Sequence, residues 1–168
     1  MKIFRDVISG DEMFSDAFDI IDVDDIAYEI DCKMIIVKQG ADVDIGANAS
    51  AEEAAEEMED GDVQVNNLVY SMGLTETSFD KKSYMGYIKG YMKAIKKHLA
   101  ETNPDRVAEF EAKAPAFVKK VLGNYKDYEF YVGESMNPEG AVALLNYRED
   151  GITPYMTFFK DGLKAEKV

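Results

Sequence analysis

Carboxylates are the most abundant groups that could do chemistry in this chain of 168 residues. Asp and Glu number 33 against 19 Lys and Arg, so the formal net charge is −14. They are accompanied by one histidine, His98, and one cysteine, Cys32. A single His offers little for a Ser-His-Asp triad, and one Cys with one His cannot supply four zinc ligands. The sequence also lacks a phosphate-binding P-loop motif, so it predicts a protein that is not an enzyme.

The densest run of carboxylates lies between residues 41 and 66, which hold nine acidic residues and no Lys or Arg. Such a segment buries too little apolar surface to offset its ordering entropy, so we expect a mobile, disordered acidic loop. Calcium prefers oxygen ligands, and Asp42, Asp44, Glu52 and Glu53 are weak calcium candidates. Their spacing does not match an EF-hand, and a solvated loop is the alternative. The sequence indicates no required cofactor.

A second charged region lies between residues 81 and 120, where closely spaced lysines form a basic island on an acidic protein. Lys89, Lys93, Lys96 and Lys97 are the candidates for an interaction surface there. Such a surface can dock an acidic partner through complementary electrostatic potential. The alternative is that these lysines only solvate the outer face of an amphipathic helix. The net negative charge argues against direct binding to nucleic acid.

A helix under these lysines is predicted by a change in hydrophobic period after residue 82. Apolar and aromatic side chains then recur every three or four positions, at Tyr84, Tyr87, Ile88, Tyr91, Met92, Ile95 and Leu99. Ser78 or Asp80 can cap the start of this helix. A second apolar stripe runs from residue 107 to 122, which predicts a helical hairpin over residues 79–123. Pro115 lies inside the second helix, where it removes a hydrogen bond and should kink the axis.

The rest of the chain is predicted to be mainly β. Alternating or β-rich runs occupy residues 2–7, 26–30, 34–38, 63–72, 130–132, 141–146 and 155–159. We therefore expect a single domain over residues 1–168 with an α+β fold. The sequence shows neither a membrane span nor a signal peptide. A single cysteine agrees with a reducing compartment, so the expected location is the cytoplasm.

Three stretches of the chain resemble the signatures of the translationally controlled tumour protein family. Residues 146–163 resemble its C-terminal signature, residues 45–52 its first signature and residues 131–138 the core of its second. Residues 11–16 and 87–93 agree with the same family, so the matches span nearly the whole chain. The resemblance implies a β-tent of antiparallel sheets with one projecting helical hairpin and a mobile acidic loop.

The resemblance also implies a function for Glu12. It suggests a regulatory adaptor that binds small GTPases and translation elongation factors and influences guanine nucleotide exchange or release. In the family, the glutamate that matches Glu12 is implicated in contact with Ras-type GTPases. A carboxylate beside a nucleotide site can compete with phosphate or Mg²⁺ for its ligands. Glu12 has no charge partner adjacent in sequence, so we expect it to be exposed and free to contact a partner. The alternative is that Glu12 is only a solvated residue in a turn after the first strand.

Two further functions are implied by the resemblance. Family members are associated with tubulin and microtubules, whose acidic surface suits the four candidate lysines. They are also associated with calcium, growth regulation and stress responses, which suggests a weak calcium-binding, stress-protective chaperone. Each function makes a different surface important: Glu12, the lysines of the hairpin, or the acidic loop.

Overall fold

The structure is a computed structural model that describes residues 1–38 and 62–167. Within these segments the strands are β1 (Lys2–Asp6), β2 (Glu12–Ser15), β3 (Ile20–Val23), β4 (Ala27–Asp31), β5 (Met34–Lys38), β6 (Asp62–Asn66), β7 (Thr75–Thr77), β8 (Glu129–Val132), β9 (Val142–Tyr147), β10 (Pro154–Phe159) and β11 (Leu163–Lys167). The helices are α1 (Asn67–Met72), α2 (Lys81–Thr102) and α3 (Asp105–Gly123). Short 3₁₀ turns occupy Tyr125–Asp127 and Lys160–Gly162.

The strands form a six-stranded sheet, a three-stranded sheet and a two-stranded ribbon. Their orders are β3-β4-β10-β9-β8-β7, β11-β1-β2 and β5-β6. Every pairing is antiparallel. The predicted α+β class with antiparallel sheets is therefore confirmed. None of the helices in the described segments combines the length and apolar character that crossing a membrane requires.

The six-stranded sheet has a packed layer on each face. Neighbouring residues of β10 show both layers, because their side chains point to opposite sides of the sheet. On one side, the Phe158 ring lies 4.9 Å from that of Phe14, which stacks on Phe4 of the three-stranded sheet at 4.6 Å. On the other side, Phe159 lies 5.0 Å from Phe117 of α3 and 5.9 Å from Tyr91 of α2. The core thus has a sheet-on-sheet layer and a helix-on-sheet layer.

The inner face of α2 is the one that the hydrophobic period predicts. Its buried residues are Tyr84, Ile88, Tyr91, Ile95 and Leu99. Asp80, rather than Ser78, caps the helix by accepting a 2.6 Å hydrogen bond from the Ser83 N–H. In α3, Pro115 is exposed and the helix continues beyond it to Gly123.

Two sequence-based expectations near residue 66 are wrong. Most of the predicted acidic loop lies outside the described residues, but Asp62–Asn66 form β6 and pair with β5, so the loop cannot extend to residue 66. The predicted β run over residues 63–72 also breaks there. The Asn66 side chain accepts hydrogen bonds from the N–H groups of Leu68 and Val69, which starts α1. Asn is a strong N-cap residue, and this local bond overrides the β propensity that follows it.

Candidate functional site

Glu12 is the first residue of β2 and faces Arg5 of β1 across the three-stranded sheet. The Arg5 Nη2 atom lies 3.1 Å from Oε1 of Glu12, and its Nε atom lies 2.7 Å from Oε2 of Glu166 on β11. One arginine on the central strand therefore holds a carboxylate on each neighbouring strand. The Glu12 side chain stays 44% exposed. The alternative that Glu12 lies in a turn is corrected, because Glu12 begins β2. Its charge partner, Arg5, is not adjacent in sequence but lies across the sheet.

The turn between β1 and β2 is organised by Asp6, which is 2% exposed. Its carboxylate accepts hydrogen bonds from the Ile8 N–H at 3.0 Å, from the Ser9 hydroxyl at 2.6 Å and from the Ala141 N–H at 2.7 Å. Gly10 has a φ of 80° and closes the turn by donating its N–H to the Asp6 carbonyl. Asp6 therefore shapes the turn and ties it to the start of β9.

Asp11 joins this turn to the segment that follows β8. The Ser135 hydroxyl donates a 2.6 Å hydrogen bond to Oδ2 of Asp11. A Cβ atom at Gly133 would lie 2.6 Å from the Asp11 Cβ atom, so this close approach requires glycine. The neighbouring Glu134 is exposed, and its side chain passes 3.7 Å from the position of a Cβ at Gly73, the residue that ends α1.

We call the exposed carboxylates Glu12 and Glu134, the half-buried carboxylate Asp11, and their supports Arg5 and Ser135 the Glu12 surface. This surface joins two stretches that resemble the family. Asp11 lies in residues 11–16 and Ser135 in residues 131–138, so the two residues in contact are 124 positions apart in sequence. Sequence reasoning reached only Glu12. Asp11, Glu134 and Ser135 lie within stretches that resemble the family, but no local pattern assigns a role to them or to Arg5. Their roles follow from strand pairing and from contacts distant in sequence.

The candidate lysines of α2 divide into two groups. Lys89, Lys93 and Lys97 follow one another at four-residue spacing, are exposed, and make no ion pair within the described residues. The Nζ atom of Lys96 instead lies 3.9 Å from Oε1 of Glu111 on α3. Three of the four lysines therefore lie on one exposed stripe of α2, and the fourth, Lys96, points toward α3.

The calcium candidates Asp42, Asp44, Glu52 and Glu53 lie outside the described residues. Among the residues that the structure does describe, no group of three or more His, Cys, Asp or Glu side chains could hold a metal ion.

Cys32 has the environment of a structural residue. It is 2% exposed, and its thiol donates to the Ile30 carbonyl. Burial raises the pKa of this thiol to about 11, so it stays protonated and unreactive at neutral pH.

A second charged cluster binds the helical hairpin to the sheets around Asp25. Its carboxylate accepts hydrogen bonds from Lys160 at 2.7 Å, from Arg106 at 2.5 Å and from Lys113 at 3.0 Å. These hydrogen bonds hold the pKa of Asp25 well below its usual range, and the bond from Lys160 has the largest effect. Arg106 also binds Asp161, with Nε 2.8 Å from Oδ1. The cluster joins the β3–β4 turn, the start of α3 and the turn after β10, which is a structural role.

The sequence of the chain is similar to known proteins over nearly its whole length. The family model described as translationally controlled tumour protein matches residues 1–164. The translationally-controlled tumor protein homolog of Schizosaccharomyces pombe is 67% identical over 167 residues, which is 99% of each chain. The homolog of Candida albicans is 60% identical over 168 residues, which is 100% of each chain.

Two solved structures extend the similarity to the fold. The translationally controlled tumor-associated protein of Schizosaccharomyces pombe superposes with a TM-score of 0.84 at 67% identity, covering 100% of both chains. The translationally-controlled tumor protein of Caenorhabditis elegans has a TM-score of 0.73 at 31% identity, covering 100% of this chain and 99% of its own. With its sequence and its fold both matched from end to end, the chain belongs to the translationally controlled tumour protein family.

Proposed function

We propose that this chain is a cytoplasmic regulatory adaptor that works by binding rather than by catalysis. Its principal partner is a small GTPase, which it binds through the Glu12 surface and whose guanine nucleotide exchange or release it influences. The observation that supports this proposal most is the way Arg5 and Ser135 hold Glu12 and Asp11 at the end of one well-bonded turn while Glu12 stays partly exposed.

Rigid carboxylates suit a contact near a nucleotide site. Because Arg5 serves both Glu12 and Glu166, the three charges sum to a net negative value, and the pair does not neutralise the surface. A fixed carboxylate loses little conformational entropy on binding, so more of its interaction energy appears as affinity. It can compete with phosphate for a basic group or for Mg²⁺, which loosens the bound nucleotide.

The test is a pair of measurements on a Ras-type GTPase. Calorimetric titration of the nucleotide-free GTPase measures binding, and release of a fluorescent GDP measures the effect on exchange. The same titration on a translation elongation factor tests whether that partner uses the same surface. An affinity that does not change when Glu12 is substituted would contradict the proposed surface. Binding that leaves the rate of GDP release unchanged would restrict the role of the chain to that of an adaptor.

A second candidate function, microtubule binding, is supported by the stripe of Lys89, Lys93 and Lys97. The three exposed cations have no ion-pair partner in the part of the chain that the structure describes, so they remain available to an acidic surface. Lys96 contributes less because it already lies near Glu111. Co-sedimentation with microtubules over a range of salt concentrations tests this function.

Weak calcium binding, with a stress-protective chaperone role, remains a third proposal. It is supported by the composition of the acidic segment around Asp42, Asp44, Glu52 and Glu53 alone. Calorimetric titration with Ca²⁺, repeated with Mg²⁺ at the same ionic strength, separates a specific site from attraction by net charge.

A further inference from the structure

Strand β7 lies at one edge of the six-stranded sheet. Its three residues pair with β8 through Thr75 and Val132, Glu76 and Tyr131, and Thr77 and Phe130. No other strand in residues 1–38 and 62–167 pairs with β7. The outer edge of such a strand offers N–H and C=O groups to an extended peptide.

Carboxylates lie on one face of this edge. Glu76 is directly opposite Tyr131, and Glu129 lies two positions before Tyr131 on β8, so all three side chains share a face. Burial, followed by the charges of Glu76 and Glu129, raises the pKa of Tyr131 to about 12, which agrees with this proximity. Both glutamates are exposed, and neither makes an ion pair with any residue that the structure describes.

An aromatic groove lies on the other face of the same edge. Phe130 precedes Tyr131 on β8 and therefore points to the opposite side of the sheet. Its ring lies 5.4 Å from that of Phe79 and 5.8 Å from that of Tyr125. Together with Tyr128 these rings line a groove of about 670 Å³ at the end of β7.

We propose that β7 accepts an extended peptide with alternating basic and apolar residues, which adds to the six-stranded sheet as a further strand. Successive side chains of a strand point to opposite faces. The apolar side chains therefore enter the aromatic groove, while the Lys or Arg side chains meet Glu76 and Glu129. The peptide backbone pairs with β7 in the manner of β-strand addition.

Charge selects a basic partner over an acidic one. Glu76 and Glu129 place two carboxylates on one face of this edge, Lys126 is the one cation among the residues that line the groove, and the whole chain has a net charge of −14. An acidic strand would place like charges beside Glu76 and Glu129, which costs affinity. None of these residues belongs to the Glu12 surface, so the two sites are tested separately.

The first test uses an acetylated, amidated octapeptide of alternating Lys and Val, titrated into the full chain by calorimetry and by NMR of backbone amides. We expect the largest changes in chemical shift at the backbone amides of residues 75–77 and 129–131. The double variant Glu76→Gln, Glu129→Gln should weaken binding at least tenfold. Its control is Glu101→Gln, Glu149→Gln, which removes two exposed charges elsewhere and should change affinity less than twofold. Equal losses in both double variants would overturn the proposal.

The second test examines strand pairing itself. In an extended peptide the amides of the Lys residues point to one edge and those of the Val residues to the other. N-methylation of all Lys amides and of all Val amides gives two peptides, of which one should lose binding at least tenfold and the other should not. If both bind like the parent, or if a peptide with Lys and Val in separate blocks binds as well, the attraction is only electrostatic and the proposal fails. Sedimentation that shows self-association of the chain, reversed by the peptide, would also overturn it by making a second copy the occupant.

Discussion

Arg5 does more for Glu12 than supply an opposite charge, because its contact with Glu166 fixes the guanidinium from the other side. The resemblance to the family identified Glu12 as a candidate site residue and implied its role. It did not reach Arg5, because the pairing depends on the register of β1 with β2 and β11. At this scale, sequence identifies a residue type, and the fold determines its partners.

Glu12→Gln tests the GTPase proposal while keeping the shape of the side chain. An exposed ion pair contributes little, so the free energy of unfolding should fall by about 1 kcal/mol or less. Affinity for a nucleotide-free Ras-type GTPase should fall several-fold. Calorimetric titration and thermal unfolding of the same sample measure both quantities. Glu166→Gln is the matched control, since it removes the other partner of Arg5. Equal effects of the two variants on affinity would remove Glu12 from the site.

Gly133→Ala tests whether the contact with Asp11 organises the Glu12 surface. The new Cβ would lie 2.6 Å from the Asp11 Cβ atom, so the turn must move and stability should fall by about 1–3 kcal/mol. Gly90→Ala is the control: nothing lies within 4 Å of its Cβ position inside α2, and it should stabilise the helix by about 0.5–1 kcal/mol. Urea denaturation of both variants measures whether the free energy of unfolding falls for Gly133→Ala and rises for Gly90→Ala. A neutral Gly133→Ala would show that the turn tolerates the movement.

Among the elements, the helical hairpin followed most directly from the sequence and α1 least. The three- and four-residue period of α2 is long enough to outweigh local ambiguity. Residues 67–72 contain Val and Tyr, which favour strands, and only the cap by Asn66 shows that they form a helix. Strand β7 has three residues, too few for a pattern, and exists as the partner of β8. Short elements were therefore missed because distant contacts define them.

The lysine stripe makes a prediction about α2 as a unit. Lys89→Glu, Lys93→Glu and Lys97→Glu together should abolish co-sedimentation with microtubules and leave the circular dichroism unchanged, because these side chains are exposed. Increasing salt should weaken binding of the unaltered chain.

The matched control for the stripe changes Lys119, Lys120 and Lys164 to Glu, which gives the same net charge on other exposed positions. Co-sedimentation should persist in that variant. If both triple variants lose it equally, net charge rather than the stripe explains the binding.

For the molecule as a whole, the cluster around Asp25 connects elements that are far apart in the chain. Asp24 and Asp25 have φ values of 53° and 58°, which Asp tolerates better than most residues in a tight turn. This conformation lets Asp25 meet Arg106, Lys113 and Lys160 at once. The sequence contains no sign of this connection, because the four residues share neither a period nor a motif.

Asp25→Asn should lower the free energy of unfolding at pH 7 by about 1–2 kcal/mol, a range reduced for the solvent exposure of the carboxylate. The pKa of Asp25 is depressed in the folded state, so its stabilisation is present above the unfolded value of 3.8 and is lost as pH falls toward the folded value. The difference from the unaltered chain should therefore shrink below about pH 4. Urea denaturation at pH 7 and at lower pH measures it.

Asp24→Asn controls for both charge and backbone, because Asp24 has a similar φ and makes no ion pair within the described segments. It should change stability by less than about 0.5 kcal/mol at either pH. A difference for Asp25→Asn that persists undiminished in acid would show that the carboxylate charge is not what stabilises the cluster.

The acidic segment can be tested by replacement. Lys38 and Asp62 face each other at the open end of the β5–β6 ribbon, so a short linker can join the two strands. Replacing residues 44–60 with a few Gly and Ser residues should change the free energy of unfolding by about 1 kcal/mol or less, because the cost of loop closure grows slowly with length. A large fall in the denaturation midpoint would show that the segment contributes to the core.

The pairing of β1 with β11 has a consequence for synthesis. Arg5 and Glu166 are 161 positions apart, so β1 gains β11 as its second neighbour only after the long segment between them has been synthesised. Strand β4 likewise waits for β10, its central partner in the six-stranded sheet. Pairings so distant in sequence slow folding and leave strand edges exposed while the nascent chain grows. The chain should therefore depend on chaperones during translation more than its small size suggests, and slower translation should not relieve that dependence.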